Sequence, residues 1–209
     1  MAYLSLFPLN LVAYPGEALN LHIFEPRYRQ LANECIDQHT TFGIPAFVDN
    51  RLPGYGTEME VLELVKRYDD GKMDIRLRGL RVFRIVDFDN PVPGKLYAGG
   101  TVHRYPEPPD APEVAPELEN LIRQLYGLLK STVSFNKEKP QPYSYQIAHG
   151  VGLPIEGEYE LLTIEFEFER QNFLIDHLKK VIPIIENMEQ TKDRIRMNGH
   201  FKEFGPLNL

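Results

Sequence analysis

Five residues able to carry a proton or a charge, His22, Glu25, Arg27, Tyr28 and Arg29, crowd the run "LNLHIFEPRYRQL" at residues 19–31. A histidine near a carboxylate and a phenol could support acid–base chemistry, and paired arginines could hold an anion. The setting argues for a different role. His22 alternates with Ile23 in an extended stretch, and His39, His103, His149, His177 and His200 are scattered singly. No HExxH pattern or close histidine pair supplies a zinc set. Glu25 stands just before Pro26, where a carboxylate can accept amide hydrogen bonds and face the positive end of a helix. Arg27 and Arg29 can pair with it or face solvent, and Tyr28 sits at the edge of an apolar helix face. The cluster reads as a corner of the fold.

Three further patterns could carry chemistry. Ser134-Phe135-Asn136-Lys137 has the S-x-x-K spacing of some acylating hydrolases, but neither SDN nor KTG follows it. The glycines of "RLPGYGTE" and "GLPIEGEYE" form no GxxxxGK[ST] or GxGxxG, so no phosphate cradle is encoded. Glu165, Glu167 and Glu169 alternate like ligands for a divalent cation, yet no oxygen-rich calcium loop surrounds them, and they read as a solvated face. The one cysteine, Cys35, allows no intrachain disulfide and no cysteine zinc site, and suits a small buried thiol. The sequence therefore predicts no catalytic residue, no metal site and no cofactor.

The elements that must position these residues fall into two kinds. Strand patterns fill residues 1–105. Met73, Ile75 and Leu77 alternate with Asp74, Arg76 and Arg78, and Asp70-Gly71 supplies a hairpin turn before them. Runs over 58–68, 72–78 and on to Phe88 join shorter candidates at 6–9, 41–48 and 96–103, as in a closed or partly closed antiparallel barrel. One helix is inserted, with Tyr28, Leu31, Ala32, Cys35 and Ile36 at helical spacing. Residues 106–116, "PEPPDAPEVAP", hold five prolines and predict a stiff connector. Residues 117–189 then turn helical: Leu118, Leu121, Ile122, Leu125, Leu128 and Leu129 form a stripe, with further helices over 143–149, 158–168 and 170–189. A polar tail over 190–209 closes the chain.

Charge sets limits on partners. Of 209 residues, 23 are basic and 30 acidic, for a net charge of -7, so no general polyanion-binding surface is advertised. Residues 1–105 carry 12 basic and 13 acidic side chains, leaving most of the excess in the helical part. No apolar run reaches the 18 or so residues of a membrane span, and no secretory leader pattern opens the chain. The expected location is cytoplasmic.

At "LFPLNLVAYPGEALNLHIFEPRYRQL" the chain resembles the N-terminal domain family of the ATP-dependent Lon proteases. That family opens LPLFPL-x-x-V-x-x-PG-x-x-LPL-x-IFE-x-RY-x-x-L. Leu6 to Leu9, Pro15, Gly16, Leu19, Leu21, Ile23, Phe24, Glu25, Arg27, Tyr28 and Leu31 follow it, with Pro26 at its free position. Asn20 departs from the usual proline, and Val82 stands where a second arginine is common in "DGKMDIRLRGLRVFRI". Glu160-Leu161-Leu162 and Glu169-Arg170 match later ELL and ER positions. The resemblance implies an α+β fold: a PUA-like, partly open β-barrel with an inserted helix, followed by a small helical bundle. It makes 158–168 helical and gives Pro15, Gly16, Phe24, Glu25, Pro26, Arg27 and Tyr28 a structural role. It also implies a stand-alone, non-catalytic module for substrate recognition, without the ATPase and protease domains. The expected partner is a polypeptide or protein, including unfolded segments, met in a groove between barrel and helices. Tyr97, Tyr105, Tyr143 and Tyr145 lie near that presumed junction and are the candidate contacts. RNA binding, which other PUA-like barrels perform, is the alternative. It would draw on Arg76, Arg78, Arg81, Arg84 and Arg104, but their acidic neighbours nearly cancel them.

Overall fold

A computed structural model describes residues 1–106, 113–131 and 141–200. The strands are β1 (Ala2–Leu6), β2 (Ala18–Ile23), β3 (Phe42–Pro45), β4 (Tyr55–Arg67), β5 (Met73–Asp89) and β6 (Ala98–Arg104). The helices are α1 (Pro26–Gln38), α2 (Pro116–Leu128), α3 (Tyr143–Ile147), α4 (Ile155–Thr163) and α5 (Glu167–His200), with a 3-10 turn at Ala148–Gly150.

The strands form one sheet in the order β2-β5-β4-β3-β1-β6, and a further β5–β6 pairing closes five of them into a ring. The 17-residue β5 makes this possible. Its first half pairs with β2, from Met73 with Ile23 to Arg78 with Ala18. Its second half pairs with β6, from Phe83 with Arg104 to Asp89 with Gly99. The two runs expected over 72–88 are thus one strand that changes partner at Gly79.

Gly79 also explains the Pro15-Gly16 turn. The turn crosses β5 there: Gly16 N donates to Gly79 O at 2.8 Å, and Gly79 N donates to Glu17 O at 2.9 Å. A Cβ on Gly79 would lie 2.2 Å from Tyr14 O, so only glycine admits this approach. Gly16 itself has φ +77°, the left-handed region a tight turn requires.

The period-two pattern of β5 buries Met73, Ile75 and Leu77 with Phe42, Ile44 and Met59. Against this layer α1 lays Tyr28, Leu31, Ala32 and Cys35, and Tyr28 stacks on Phe7 with centroids 3.6 Å apart. Leu4, Leu6, Phe83, Ala98 and Val102 form a second core cluster. Of the opening motif, Phe24 is 58 % exposed, with its ring stacked beside His22. Glu25 is the residue before α1 but makes no side-chain cap. Its carboxylate instead accepts from Arg27 Nε at 3.0 Å and Nη2 at 2.7 Å, so the expected amide contacts are replaced by an ion pair.

The chain divides into two compact units, with one boundary, after residue 112, inside the proline-rich stretch and two more, after residues 135 and 170, beyond it. The first joins residues 1–112 to 136–170, so α3 and α4 belong with the barrel rather than with a separate helical part. The second joins residues 113–135 to 171–209. In it Leu118, Ile122 and Leu125 of α2 and Leu174, Leu178 and Ile182 of α5 are buried. Lys179 pairs with Glu117 at 2.7 Å and Gln124 donates to Glu186 at 2.8 Å, which sets the two helices parallel. Leu129, expected on the apolar stripe, is 50 % exposed. The 158–168 helix is broken: α4 ends at Thr163 and α5 begins at Glu167, and α5 runs through His200 into the expected tail. Most of the connector, the S-x-x-K pattern and residues 201–209 lie outside the described residues.

Candidate functional site

Within the first unit, a cleft of about 220 Å³ opens between barrel and helices. Tyr55 of β4, Val82 of β5 and Tyr105 with Pro106 after β6 form one wall. Tyr145 of α3, the end of α4 at Leu162 and Thr163, and the turn at Ile164 and Glu165 form the other, with Arg170 of α5 at its base.

Arg170 holds the helical wall in place. It is 3 % exposed, as is Glu167, and its Nε lies 3.0 Å from Glu167 Oε2 and 3.1 Å from Ser144 Oγ. Its Nη1 reaches the Tyr145 hydroxyl at 3.0 Å and the carbonyls of Ile164 and Glu165 at 3.0 and 2.9 Å. Glu167 in turn accepts from Ser144 N at 2.9 Å and from its hydroxyl. A buried pair withstands its desolvation only when its polar atoms find such partners. One guanidinium therefore fixes α3, the α4–α5 turn and the start of α5 together. The Glu165–Glu167–Glu169 ladder is accordingly not one solvated face. α5 starts at Glu167, and i,i+3 spacing turns that carboxylate inward to Arg170 while Glu165 and Glu169 stay exposed.

The barrel wall is aromatic. Tyr55 and Tyr105 stack with centroids 5.8 Å apart, and their hydroxyls lie 3.4 Å from each other. This hydrogen bond, with burial, pushes the Tyr55 phenol up to about 12, so it stays protonated at neutral pH. Thr163 Oγ1 is engaged with Glu160 O at 2.7 Å. No described lining residue is a histidine, cysteine or serine that could pair as base and nucleophile. The arrangement presents apolar and aromatic surface with a few polar atoms, and can bind a side chain. Among the described residues no group of three acidic, histidine or cysteine side chains is placed to hold a metal ion.

Of the four candidate tyrosines, the structure brings Tyr105 and Tyr145 to the cleft. Tyr145 offers only an edge: Tyr14 stacks on it at 4.9 Å, and the Arg170 guanidinium lies 4.2 Å from the ring centroid. Neither Tyr97 nor Tyr143 lines the cleft: both are buried elsewhere, and Tyr97 donates its hydroxyl to Glu34 of α1. Tyr55, Thr163, Glu165 and Arg170 carried no binding signal in the sequence beyond the Glu169-Arg170 match.

A second polar knot stands on the helical side. His149 Nδ1 lies 2.8 Å from Glu158 Oε1 and its Nε2 lies 3.3 Å from Glu17 Oε1, which joins the Pro15-Gly16 turn to α4. The two carboxylates, Glu17 first, outweigh burial and push the imidazole up to about 9.

The family model described as the ATP-dependent protease La (LON) substrate-binding domain matches residues 3–194. The chain belongs to this family. Among solved structures, a Lon N-terminal domain protein from Xanthomonas campestris shares 27 % identity and a TM-score of 0.66, covering 84 % of this chain and 98 % of its own. The N-terminal domain of a Mycobacterium avium complex Lon protease has the same fold at 15 % identity and a TM-score of 0.62, covering 85 % of this chain and 98 % of its own. None of the curated proteins compared matches the chain. Both structural relatives share the mixed α+β architecture, and the matched region takes in the barrel, the cleft and most of α5. No helix among the described residues is long and apolar enough to cross a membrane.

Proposed function

We propose that the chain is a non-catalytic recognition module that binds polypeptide segments in the cleft between barrel and helices. The observation that carries this reading is the cleft itself. Its aromatic barrel wall faces a helical wall held rigid by Arg170. At about 220 Å³ it is smaller than the roughly 300–1,000 Å³ of small-molecule and cofactor sites, and suits one large side chain of an extended segment. The substrate-binding description of the family supports the same partner class.

Nucleic acid is disfavoured by where the arginines go. Arg76 pairs with Glu63, Arg78 with Glu60, and Arg104 with the buried Glu58, from which Arg81 lies 3.5 Å. Arg84, set over Tyr55, is the one of these five with no acidic partner among the described residues. A phosphate-binding track needs several free cations. Fluorescence anisotropy on labelled leucine-containing peptides and labelled single-stranded RNA, each at two salt concentrations, tests the reading. Peptide binding with a shallow salt slope, lost in both Val82→Trp and Thr163→Phe with the fold intact by circular dichroism, is the expected result. Steeply salt-dependent RNA binding without a peptide signal would overturn it.

A further inference from the structure

Glu165 stands at the mouth of the cleft and has no use inside the molecule. Its backbone carbonyl is clamped by Arg170 Nη1 at 2.9 Å, so the residue is mounted on a fixed turn. Its side chain is exposed and makes no hydrogen bond or ion pair among the described residues. The other charged lining residue, Arg170, is already neutralised by Glu167. Among the described lining residues, Glu165 therefore carries the uncompensated charge, and it is negative.

Next to Glu165 in the chain stand two aromatic residues that the fold leaves in water. Phe166 is 41 % and Phe168 50 % exposed, with centroids 5.9 Å apart. A carboxylate next to exposed rings complements a guanidinium or ammonium on an apolar stem. The stem covers the rings, the cation meets their faces, and the charge pairs with the acid. A carboxylate-bearing side chain placed there would face Glu165 and lose its hydration for no partner.

We propose that the cleft selects polypeptide segments in which a large apolar side chain has arginine or lysine within two residues. The apolar side chain fills the cleft, and the cation lies over the lip formed by Glu165, Phe166 and Phe168. The separation follows from chain geometry: an extended segment advances about 3.3 Å per residue, so neighbours one or two places away reach the lip of the same cleft. This rests on the proposed function, and deepens it by naming the sequence chemistry that is preferred.

The test uses the full chain and three labelled peptides that differ at two places: leucine with a nearby arginine, leucine with glutamate in its place, and serine in place of leucine with the arginine kept. A partly exposed ion pair at such a lip gives a preference of about two- to fivefold for the arginine peptide over the glutamate peptide. Glu165→Gln should bring that ratio close to one, and Glu165→Lys should invert it. The serine peptide should bind weakest throughout. A ratio near one in the natural chain, or a preference that survives Glu165→Gln, overturns the charge selection. If binding is still lost in Val82→Trp and Thr163→Phe, polypeptide recognition at the cleft stands while this inference falls. No binding of any peptide, or binding indifferent to both cleft-filling variants, overturns both.

Discussion

Two arginine–glutamate pairs stand at two helix starts with similar contact distances and opposite surroundings. At the start of α1, Arg27 Nη2 lies 2.7 Å from Glu25, and the side chains are 48 % and 40 % exposed. At the start of α5, Arg170 Nε lies 3.0 Å from Glu167, and they are 3 % and 4 % exposed. The first pair gains little, because water screens it and would solvate either partner alone. The second is costly to break, because removal of one partner leaves a charge with no water to turn to. Burial, rather than the density of charged residues along the chain, decides which cluster the fold depends on.

The sharpest way to break this comparison is Arg170→Met, which keeps the apolar stem and removes the charge. It should cost about 3–5 kcal/mol by leaving Glu167 buried and uncompensated, read as a fall in urea midpoint. A loss near that of an exposed pair would show that water reaches Glu167 and that the contrast is false. Gly79→Ala probes what holds the first corner in place of its charges. The added methyl meets Tyr14 O at 2.2 Å, and a loss of about 1–3 kcal/mol is expected from overpacking.

His149 stands between the two extremes, half-exposed and paired with two carboxylates. Its pKa rises on folding from near 6.5 to about 9. Its contribution is therefore complete below about pH 6.5 and is lost as pH climbs through 9. Solvent screening limits it to about 1 kcal/mol. The stability difference between the natural chain and His149→Gln should shrink over that window, measured by denaturation at a series of pH values. A difference that grows with pH would have the wrong sign. Smallest of all, Glu25→Ala should cost about 0.2–1 kcal/mol, since Glu25 makes no helix cap and its pair is exposed.

The sequence made the barrel legible because its signals are local. Alternation in β5 names the buried Met73, Ile75 and Leu77, and Pro15-Gly16 marks its turn. The cleft was less legible, because it is built from residues distant in the chain. Tyr55 meets Tyr105 and Tyr159 only through strand pairing and the return of α4 to the barrel. The same return makes α3 and α4 part of the barrel unit, which a division drawn at a run of prolines does not capture. The burial of Glu167 is hard to see in the sequence for a related reason. Alternating glutamates look solvated in a strand or loop, but a helix that begins at the middle one turns it inward, and its partner Arg170 lies one turn on.

The most direct test of recognition at the cleft is amide chemical-shift perturbation of the full chain titrated with a permanently unfolded polypeptide, such as reduced and alkylated lysozyme. The account predicts saturable shifts centred on Tyr55, Val82, Tyr105, Thr163 and Glu165, with the β2 strand and the Glu25–Arg27 corner unmoved. Shifts centred on β2 or that corner, or no shifts at all, would contradict it.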